Sequence, residues 1–374
     1  MPPTIELKSS EPIGADETPF PGPCLVSPFH DGEETILTFR GEAEAVHLLT
    51  WMPRFPPPLP FARVAPDIWQ VRLRVPGTAR IEYRLAITDN GRIHQVNDPL
   101  NPPVAANPFG SNSVLVGPDY RLPWFVREPP EPARGQLHEV RVASAALGRR
   151  HHYHVYLPED FKARSGHPVL MVHDGSDFLN YADLAGCLDR LIDSGAVANL
   201  AAVLLDPWNR VAEYGANPAH SRHLVSEVLP HVVRRLRLQP TAVGALGSSL
   251  GAVAALAAAW HHPKAFSAVA LLSGSFAHTL GGDRTADVFA SIVDFVAAFE
   301  ADPRLANTSV YQSVGRYEGL SDLNRRIGPI IGAAAARHRY QETWDGHHWR
   351  SWRDRLGDAL AFLFPRSTRF DRLG

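Results

Sequence analysis

Apolar residues follow two rhythms along this chain, and the change between them lies near residue 134. Before it they alternate with polar residues in short runs: Thr35 to Phe39, Ala45 to Leu49, Trp69 to Val75 and Ile81 to Ile87. A period of two turns one side of a run toward a core and the other toward water, so each run predicts a strand. Asp89-Asn90-Gly91 predicts a hairpin turn after the fourth run, and Val114-Leu115 ends a further short apolar segment. Short strands at this spacing predict a small β-sandwich.

After residue 134 strands and helices alternate. His138 to Ala143 and Tyr153 to Leu157 predict a strand pair, and Pro168 to Val172 predicts a continuous apolar strand. Asn180 to Asp193 reads as helix and Leu200 to Leu205 as strand. Leu224, Val225, Val228, Leu229, Val232, Val233 and Leu236 share one helical face, with a kink expected at Pro230. A strand (Ala242 to Leu246) and an alanine-rich helix running to Trp260 come next. Val269 to Leu272, Ser309 to Ser313 and Tyr340 to Thr343 predict strands; Asp287 to Phe299, Leu323 to Ala336 and Trp349 to Phe364 predict helices. Such alternation predicts a mostly parallel sheet covered on both faces.

Proline marks the divisions. Residues 1–28 are rich in Pro, Ser and acids, without periodicity, and read as a loose arm. Pro53 to Pro60 reads as a stiff extended loop, with a ligand for a proline-reading domain as the lesser reading. The expected organisation is an arm at 1–28, a β-sandwich at 29–120, a proline-rich linker at 121–137 and an α/β domain at 138–374.

The chemistry centres on Gly247-Ser248-Ser249-Leu250-Gly251, placed between a strand and a helix. Strand, G-x-S-x-G, helix is the nucleophile elbow of the α/β-hydrolases, in which a strained turn lifts a serine hydroxyl clear of the sheet. In that fold the serine is followed in chain order by an acid and then a histidine. Glu318 follows the strand ending at Ser313, and His347 follows the strand ending at Thr343. Ser249, Glu318 and His347 are therefore the expected nucleophile, acid and base. Asp322 is the alternative acid and His348 the alternative base; Asp345 stands too near His347 in sequence to orient it. The oxyanion hole is expected from the amide of Leu250 and that of Gly175, with Ser176 as the neighbouring alternative.

Further residues fall in loops at the same strand ends. Arg210, Arg316, Arg350 and Arg353, with Trp208, Trp349 and Trp352, form an expected rim that pairs with anions and stacks on rings. Arg210 has a second reading, an ion pair with Glu213 that holds its loop, and Arg350 and Arg353 a second reading as a solvated helix face. His152 and His154 share one side of a strand and His151 the other, which suits a decorated edge strand better than a metal pair.

Composition narrows the partners. With a net charge of −2 and a pI near 6.8, nothing global draws the chain to nucleic acid or to an anionic membrane. Nearly all the positive charge is arginine, with lysine only at 8, 162 and 264. Cys24 and Cys187 suggest neither a disulfide framework nor a zinc site, and no cofactor is expected. The N-terminal residues lack the charged-then-apolar order of a signal peptide, and no window has the apolar length to span a membrane, so a cytoplasmic protein is expected. The oligomeric state is left open.

Several of these stretches together resemble the enterochelin esterases (ferric enterobactin esterases), whose catalytic half is similar to the esterase D group. They are Asp98-Pro-Leu-Asn-Pro102 before Ser113-Val-Leu115, Val155-Tyr-Leu-Pro158, Asp174-Gly175 and Asp206…Arg210…Glu213. Gly247-x-Ser249-x-Gly251, Ser273-Gly-Ser275, Gly315-x-x-Glu318, Asn324 and Gly346-His347…Trp352-Arg353 complete the set. The likeness covers roughly residues 35–365; the family usually has Gly-Gly-His-Asp where this chain has Asp345-Gly346-His347-His348. It implies an early-set (Ig-like) β-sandwich before an α/β-hydrolase domain, a triad of Ser249, His347 and Glu318, and a small-molecule ester substrate. For that family the substrate is an iron-loaded catecholate siderophore trilactone, which the arginine and tryptophan rim would suit. Two alternatives stand beside it. One is a carbohydrate esterase of feruloyl or acetyl type; the other is a non-catalytic binding protein on a hydrolase scaffold.

Overall fold

A computed structural model of the chain describes residues 26–31, 34–52, 58–279 and 286–366, without the side chains of 286–288. Most of the expected arm, and residues 53–57 of the proline-rich stretch, lie outside the described residues. The chain divides into two compact units. The first holds the described residues up to Arg121 together with Gly315–Gly319 and Thr343–His348; the second holds Leu122–Val314, Leu320–Glu342 and the residues from Trp349 onward.

The described residues of the first unit form ten strands in two sheets. One orders β1 (Phe29–Asp31), β2 (Glu34–Arg40), β6 (Ile68–Arg74) and β5 (Ala62–Ala65). The other orders β4 (Leu59–Pro60), β3 (Ala45–Leu49), β7 (Arg80–Asp89), β10 (Gly110–Val116) and β9 (Val104–Asn107), with β8 (Arg92–Val96) also on β7. The four predicted runs are strands here, and Asn90-Gly91 turns β7 into β8. Leu37, Phe39, Val46, Leu48, Trp69, Val71, Ile81 and Leu85 point inward from both sheets as one core, as period-two alternation requires. Tyr317 joins that core, so the segment from Gly315 to Gly319 is anchored by burial.

The Thr343–His348 segment is anchored by charge. Arg80 leaves 2% of its surface exposed and grips Asp345 through Nε (3.2 Å) and Nη2 (3.1 Å). Glu82, also buried, stands 3.5 Å from Nη1, and the Arg80 amide donates to the Trp344 carbonyl at 2.9 Å. Buried charges persist only when matched in this way.

The second unit is built on an eight-stranded sheet ordered β11 (Gln136–Ser144), β12 (Arg149–Leu157), β14 (Ala201–Leu205), β13 (Gly166–His173), β15 (Gln239–Ser248), β16 (Ala268–Leu272), β17 (Ser309–Gly315) and β18 (Arg337–Thr343). The pairs β11–β12 and β12–β14 are antiparallel; those linking β14, β13, β15, β16 and β17 in turn are parallel. Helix α6 (Leu250–His261) packs on one face and α1 (Gly175–Ala182), α2 (Leu184–Asp193) and α9 (Trp349–Leu363) on the other. Burial on both sides explains why β14, β16 and residues 169–172 of β13 are uninterrupted apolar runs.

Three local expectations change. The single helix expected over Asn180 to Asp193 begins earlier and is broken at Asp183, which sits in the left-handed region (φ 46°) and bonds Arg190 through its carboxylate at 2.5 Å. One aspartate turning the chain leaves the apolar spacing nearly intact, so periodicity does not reveal it. Around Pro230 the helix runs from α4 (Pro218–His223) through one π-helical turn (Leu224–Val228) into α5 (Leu229–Leu236). Pro230 follows the π-helical turn directly, where the wider turn accommodates its ring without ending the helix. Within the proline-rich 121–137 stretch, Phe125 and Val126 are buried against α9.

Replacing Arg80 by Met removes the guanidinium that balances the buried carboxylates of Asp345 and Glu82. The variant should lose about 3–5 kcal/mol of stability, read as a lowered urea midpoint. The double variant Arg80→Met/Asp345→Leu should recover part of that loss.

Candidate active site

Ser249 stands alone between β15 and α6 with φ 56° and ψ −119°, a strained conformation for a residue with a side chain. Strand and helix can approach this closely only because Gly247 has no side chain: a Cβ there would meet the Gly251 carbonyl at 2.1 Å. The turn is locked by the Ser249 amide, which donates to the Leu272 carbonyl at 2.9 Å. Behind it, residues 250–259 of α6 are all buried, so the helix cannot shift to relieve the strain. The Ser249 hydroxyl lies 3.2 Å from that of Ser275.

The loop after β13 carries the second expected oxyanion donor. Asp174 takes the left-handed region (φ 56°) as the N-cap of α1. A Cβ on Gly175 would lie 2.5 Å from the backbone of Leu204, so β14 admits only glycine here. The Ser176 amide donates to Asp206 Oδ1 at 3.0 Å, and its hydroxyl bonds the other carboxylate oxygen. Ser176 is thereby committed to Asp206, which favours Gly175 over it as the second donor.

Arg210 opens α3 (Arg210–Tyr214), and its partner differs from the ion pair considered from sequence. Its Nε and Nη2 donate to Asp174 Oδ1 (3.0 Å) and Oδ2 (2.8 Å), and Nη2 reaches the Ser248 carbonyl at 3.3 Å. Glu213 takes Arg149 instead, at 2.7 and 2.8 Å, and accepts from the Trp208 amide at 2.9 Å. Two residues spaced for a local pair each find a partner from a strand end far away in sequence. The loop they brace holds Trp208 with 85% of its surface exposed.

In the first unit, Glu318 is fully buried and both its oxygens are engaged. Oε1 accepts the Gly315 amide at 2.7 Å and Oε2 lies 2.7 Å from Nδ1 of His347. A carboxylate at that nitrogen requires the proton on Nδ1, which makes Nε2 the accepting nitrogen of the neutral ring. His348 turns the other way, toward Glu82 (3.2 Å), Asp345 (3.1 Å) and Arg80 (3.1 Å). Asp322 is exposed and bonds Arg325 at 3.0 Å. The structure thus brings Glu318 and His347 together, and places the alternatives elsewhere.

The expected rim divides by partner. Arg350 and Arg353 both reach Glu128, Arg353 at 2.7 Å, and Arg353 is buried with Asp354 at 2.8 Å. Neither forms the solvated helix face of the second reading. The Arg316 guanidinium lies over the Trp344 ring at 4.5 Å. Trp349 packs edge-on against Phe178 (5.2 Å) and Trp352 (4.8 Å), and the Trp352 indole donates to Ser273 Oγ at 3.0 Å.

Sequence reasoning missed a set of buried histidines behind these loops. His151 points inward while His152 faces outward to Glu139. The Asp206 carbonyl, 3.0 Å from His151 Nε2, sets the proton on that nitrogen. His151 Nδ1 must then accept from His223 Nε2 at 2.6 Å, and His223 Nδ1 faces Glu227 at 2.6 Å. Nearby, His173 donates from Nδ1 to the Leu246 carbonyl (3.1 Å) and meets His220 through Nε2 (3.2 Å). Burial pulls His151 and His173 down to about 4, with the neighbouring His223 adding to the effect at His151. Burial alone would raise Glu227, but hydrogen bonds from Ser144, His223 and Ala146 hold it down to about 2. The concentration of histidine in His220-Ser-Arg-His223 was the available signal. Among the described residues no group of three or more His, Cys, Asp or Glu could hold a metal ion, and no helix is long and apolar enough to cross a membrane.

Comparison with known proteins supplies the wider context. A family model described as "Putative esterase" matches residues 144–363. The fold is similar to ferric enterobactin esterase from Salmonella typhimurium, with TM-score 0.74, 17% identity, and coverage of 89% of this chain and 94% of that one. It is similar to the enterobactin esterase FES of Shigella flexneri, solved in the presence of enterobactin, with TM-score 0.71, 19% identity, and 88% and 92% coverage. A CE1 ferulic acid esterase from Anaeromyces mucronatus gives TM-score 0.50 at 13% identity, over 65% of this chain and 95% of that one. No curated protein matches the chain at a significant level.

The buried histidines set a pH dependence. His151 and His173 take up a second ring proton only near pH 4 in the folded chain, against about 6.5 when unfolded. Between those values the unfolded state takes up protons that the native state refuses, so stability should fall as pH drops from about 6.5 to about 4. Urea midpoints at several pH values across this window should decline toward acid, and His173→Gln should flatten the slope. A level profile would contradict the assignment.

Proposed function

The chain belongs to the Esterase family, whose model spans residues 144–363, and from that premise we propose a serine esterase working through Ser249, His347 and Glu318. That the chain is a carboxylic ester hydrolase follows from the family; the roles of these residues are our reading. The observation that carries it is the 2.7 Å bond from His347 Nδ1 to buried Glu318, together with a serine held at positive φ on an elbow. Glu318 would set the tautomer and balance the imidazolium, leaving Nε2 to take the proton of Ser249 as its Oγ attacks the ester carbonyl. The amides of Leu250 and Gly175 would meet the oxyanion, aided by the N-terminal end of α6. The imidazolium then returns its proton to the departing alkoxide, and a water repeats the cycle to free the acyl group.

For the substrate we propose a ferric catecholate trilactone. Support comes from a fold likeness to enterobactin esterases that extends over both units, whereas the likeness to ferulic acid esterases covers 62–65% of the chain. Trp208 adds an exposed ring on a braced loop, suited to stacking on a catechol. Arg316 is a candidate for the anionic charge. Arg353, buried between two carboxylates, suits a structural cation better, while Arg210 and Arg350 already hold Asp174 and Glu128.

Ser249→Ala should lower turnover on an activated short-chain ester by about a millionfold with the thermal midpoint unchanged. His347→Ala should be comparably severe. Glu318→Gln should lose about four orders of magnitude, while Asp322→Asn stays near wild type. For the substrate, the ferric trilactone should be cleaved faster than feruloyl or acetyl-xylan esters. Trp208→Ala and Arg316→Ala should raise KM more for the iron complex than for a neutral ester. Equal rates on neutral feruloyl esters would leave the esterase assignment and remove the siderophore.

A further inference from the structure

The segment after β16 is built with unusual care for a loop that joins a strand to the rest of its unit. Ser273 sits in the left-handed region (φ 51°), its amide bonded to the Ser313 carbonyl at 2.7 Å and its hydroxyl bonded by the Trp352 indole at 3.0 Å. The next residue is held from the opposite side. The fully buried Asn324 donates from Nδ2 to the Gly274 carbonyl at 2.8 Å and to the Leu320 carbonyl at 2.9 Å. Gln312, also buried, fixes Asn324 by donating to its Oδ1 (3.2 Å) and its carbonyl (3.0 Å). At the end of this scaffold stands Ser275. Its amide donates to the Ser249 carbonyl at 3.2 Å, and its hydroxyl oxygen lies 3.2 Å from the Ser249 hydroxyl oxygen. Buried polar side chains and a strained backbone residue thus converge on placing one small hydroxyl against another.

Resting on the reading of Ser249 as nucleophile, we infer that Ser275 is a further catalytic residue, whose hydroxyl bonds the nucleophile oxygen and donates to it as charge develops there. A hydroxyl both donates and accepts, so one Oγ–Oγ contact serves two stages. While Ser249 keeps its proton, Ser275 can accept it. When that proton passes to the base and Oγ attacks the carbonyl carbon, the Ser275 O–H rotates to donate, with no heavy atom moving. The bond gains strength with negative charge on Ser249 Oγ and weakens again once that atom is an ester oxygen in the acyl-enzyme. Deacylation passes through the same charge in reverse, when the acyl carbon–Oγ bond breaks and the serine oxygen recovers a proton. An interaction stronger at the transition state than on either side raises kcat without tightening substrate. A hydrogen bond to a charged group is large enough to change the rate by about 10- to 100-fold.

The test measures fluorophosphonate labelling of Ser249 and steady-state hydrolysis of a small activated ester in wild type, Ser275→Ala and Ser275→Thr, with thermal midpoints for each. Ser275→Ala should lower the labelling rate and kcat by about 10- to 100-fold with KM within about twofold and an unchanged midpoint. Ser275→Thr, which keeps the hydroxyl, should recover most of the loss. Wild-type rates in Ser275→Ala would overturn the inference, as would a well-folded Ser275→Thr as slow as the alanine variant. Failure of the wild type to be labelled at Ser249 would instead sink the nucleophile assignment, and this inference with it.

Discussion

A side chain held at φ 56° is the constraint on which the catalytic half of this molecule depends. Left-handed backbone on a serine costs of order 1–3 kcal/mol and persists only where the surroundings over-determine it. Here they do so from three directions. Gly247 admits the Gly251 carbonyl, the Leu272 carbonyl takes the Ser249 amide, and the α6 run from Leu250 to Ala259 is sealed in the core. The alanine content of that helix serves the same end, since small side chains let it lie close on the sheet. Strain, glycine spacing and alanine richness are one feature seen at three levels.

Within each unit, loops are fixed by arginine–carboxylate pairs. Asp174 with Arg210, Glu213 with Arg149, Glu128 with Arg353 and Asp345 with Arg80 each tie a loop to an element distant in sequence. Most of these groups are poorly exposed, so each pair lies where an unmatched charge would be costly. Arginine suits the task because its planar fork holds a carboxylate through two bonds and so fixes an orientation. The scarcity of lysine fits a chain whose cations position loops, although composition alone assigns them no role.

The buried histidines serve a related purpose by different means. Imidazoles can donate on one side and accept or donate on the other, so a row of them satisfies carbonyls and carboxylates inside a core. His151 and His223 link the Asp206 carbonyl to Glu227; His173 and His220 sit beneath Asp174 and Tyr214. The loop after β13 thereby rests on polar groups whose tautomers are dictated by their partners. That support weakens when the rings are forced to take a second proton.

Much of this was readable from the residues in order. Apolar spacing located four strands of the first unit and nearly every strand and helix of the second, because periodicity is a local consequence of which face meets the core. The Gly247-x-Ser249-x-Gly251 run declared the elbow, since close approach of strand and helix restricts residue type on the spot. Chain order and strand ends also singled out Glu318 and His347, because parallel strands deliver their following loops to one edge. Partnerships were not readable. Arg210 and Glu213 stand at the spacing of a helical ion pair, yet each bonds a group far away, and Arg353 is buried where a rim was expected. The bonds of Ser176 to Asp206 and of His348 to Arg80, and the contact of Ser275 with Ser249, belong to the same class. Local sequence dictates which conformation and which face a residue takes. Which side chain meets which, once the chain has returned on itself, is decided only by packing, because those distances depend on every element between.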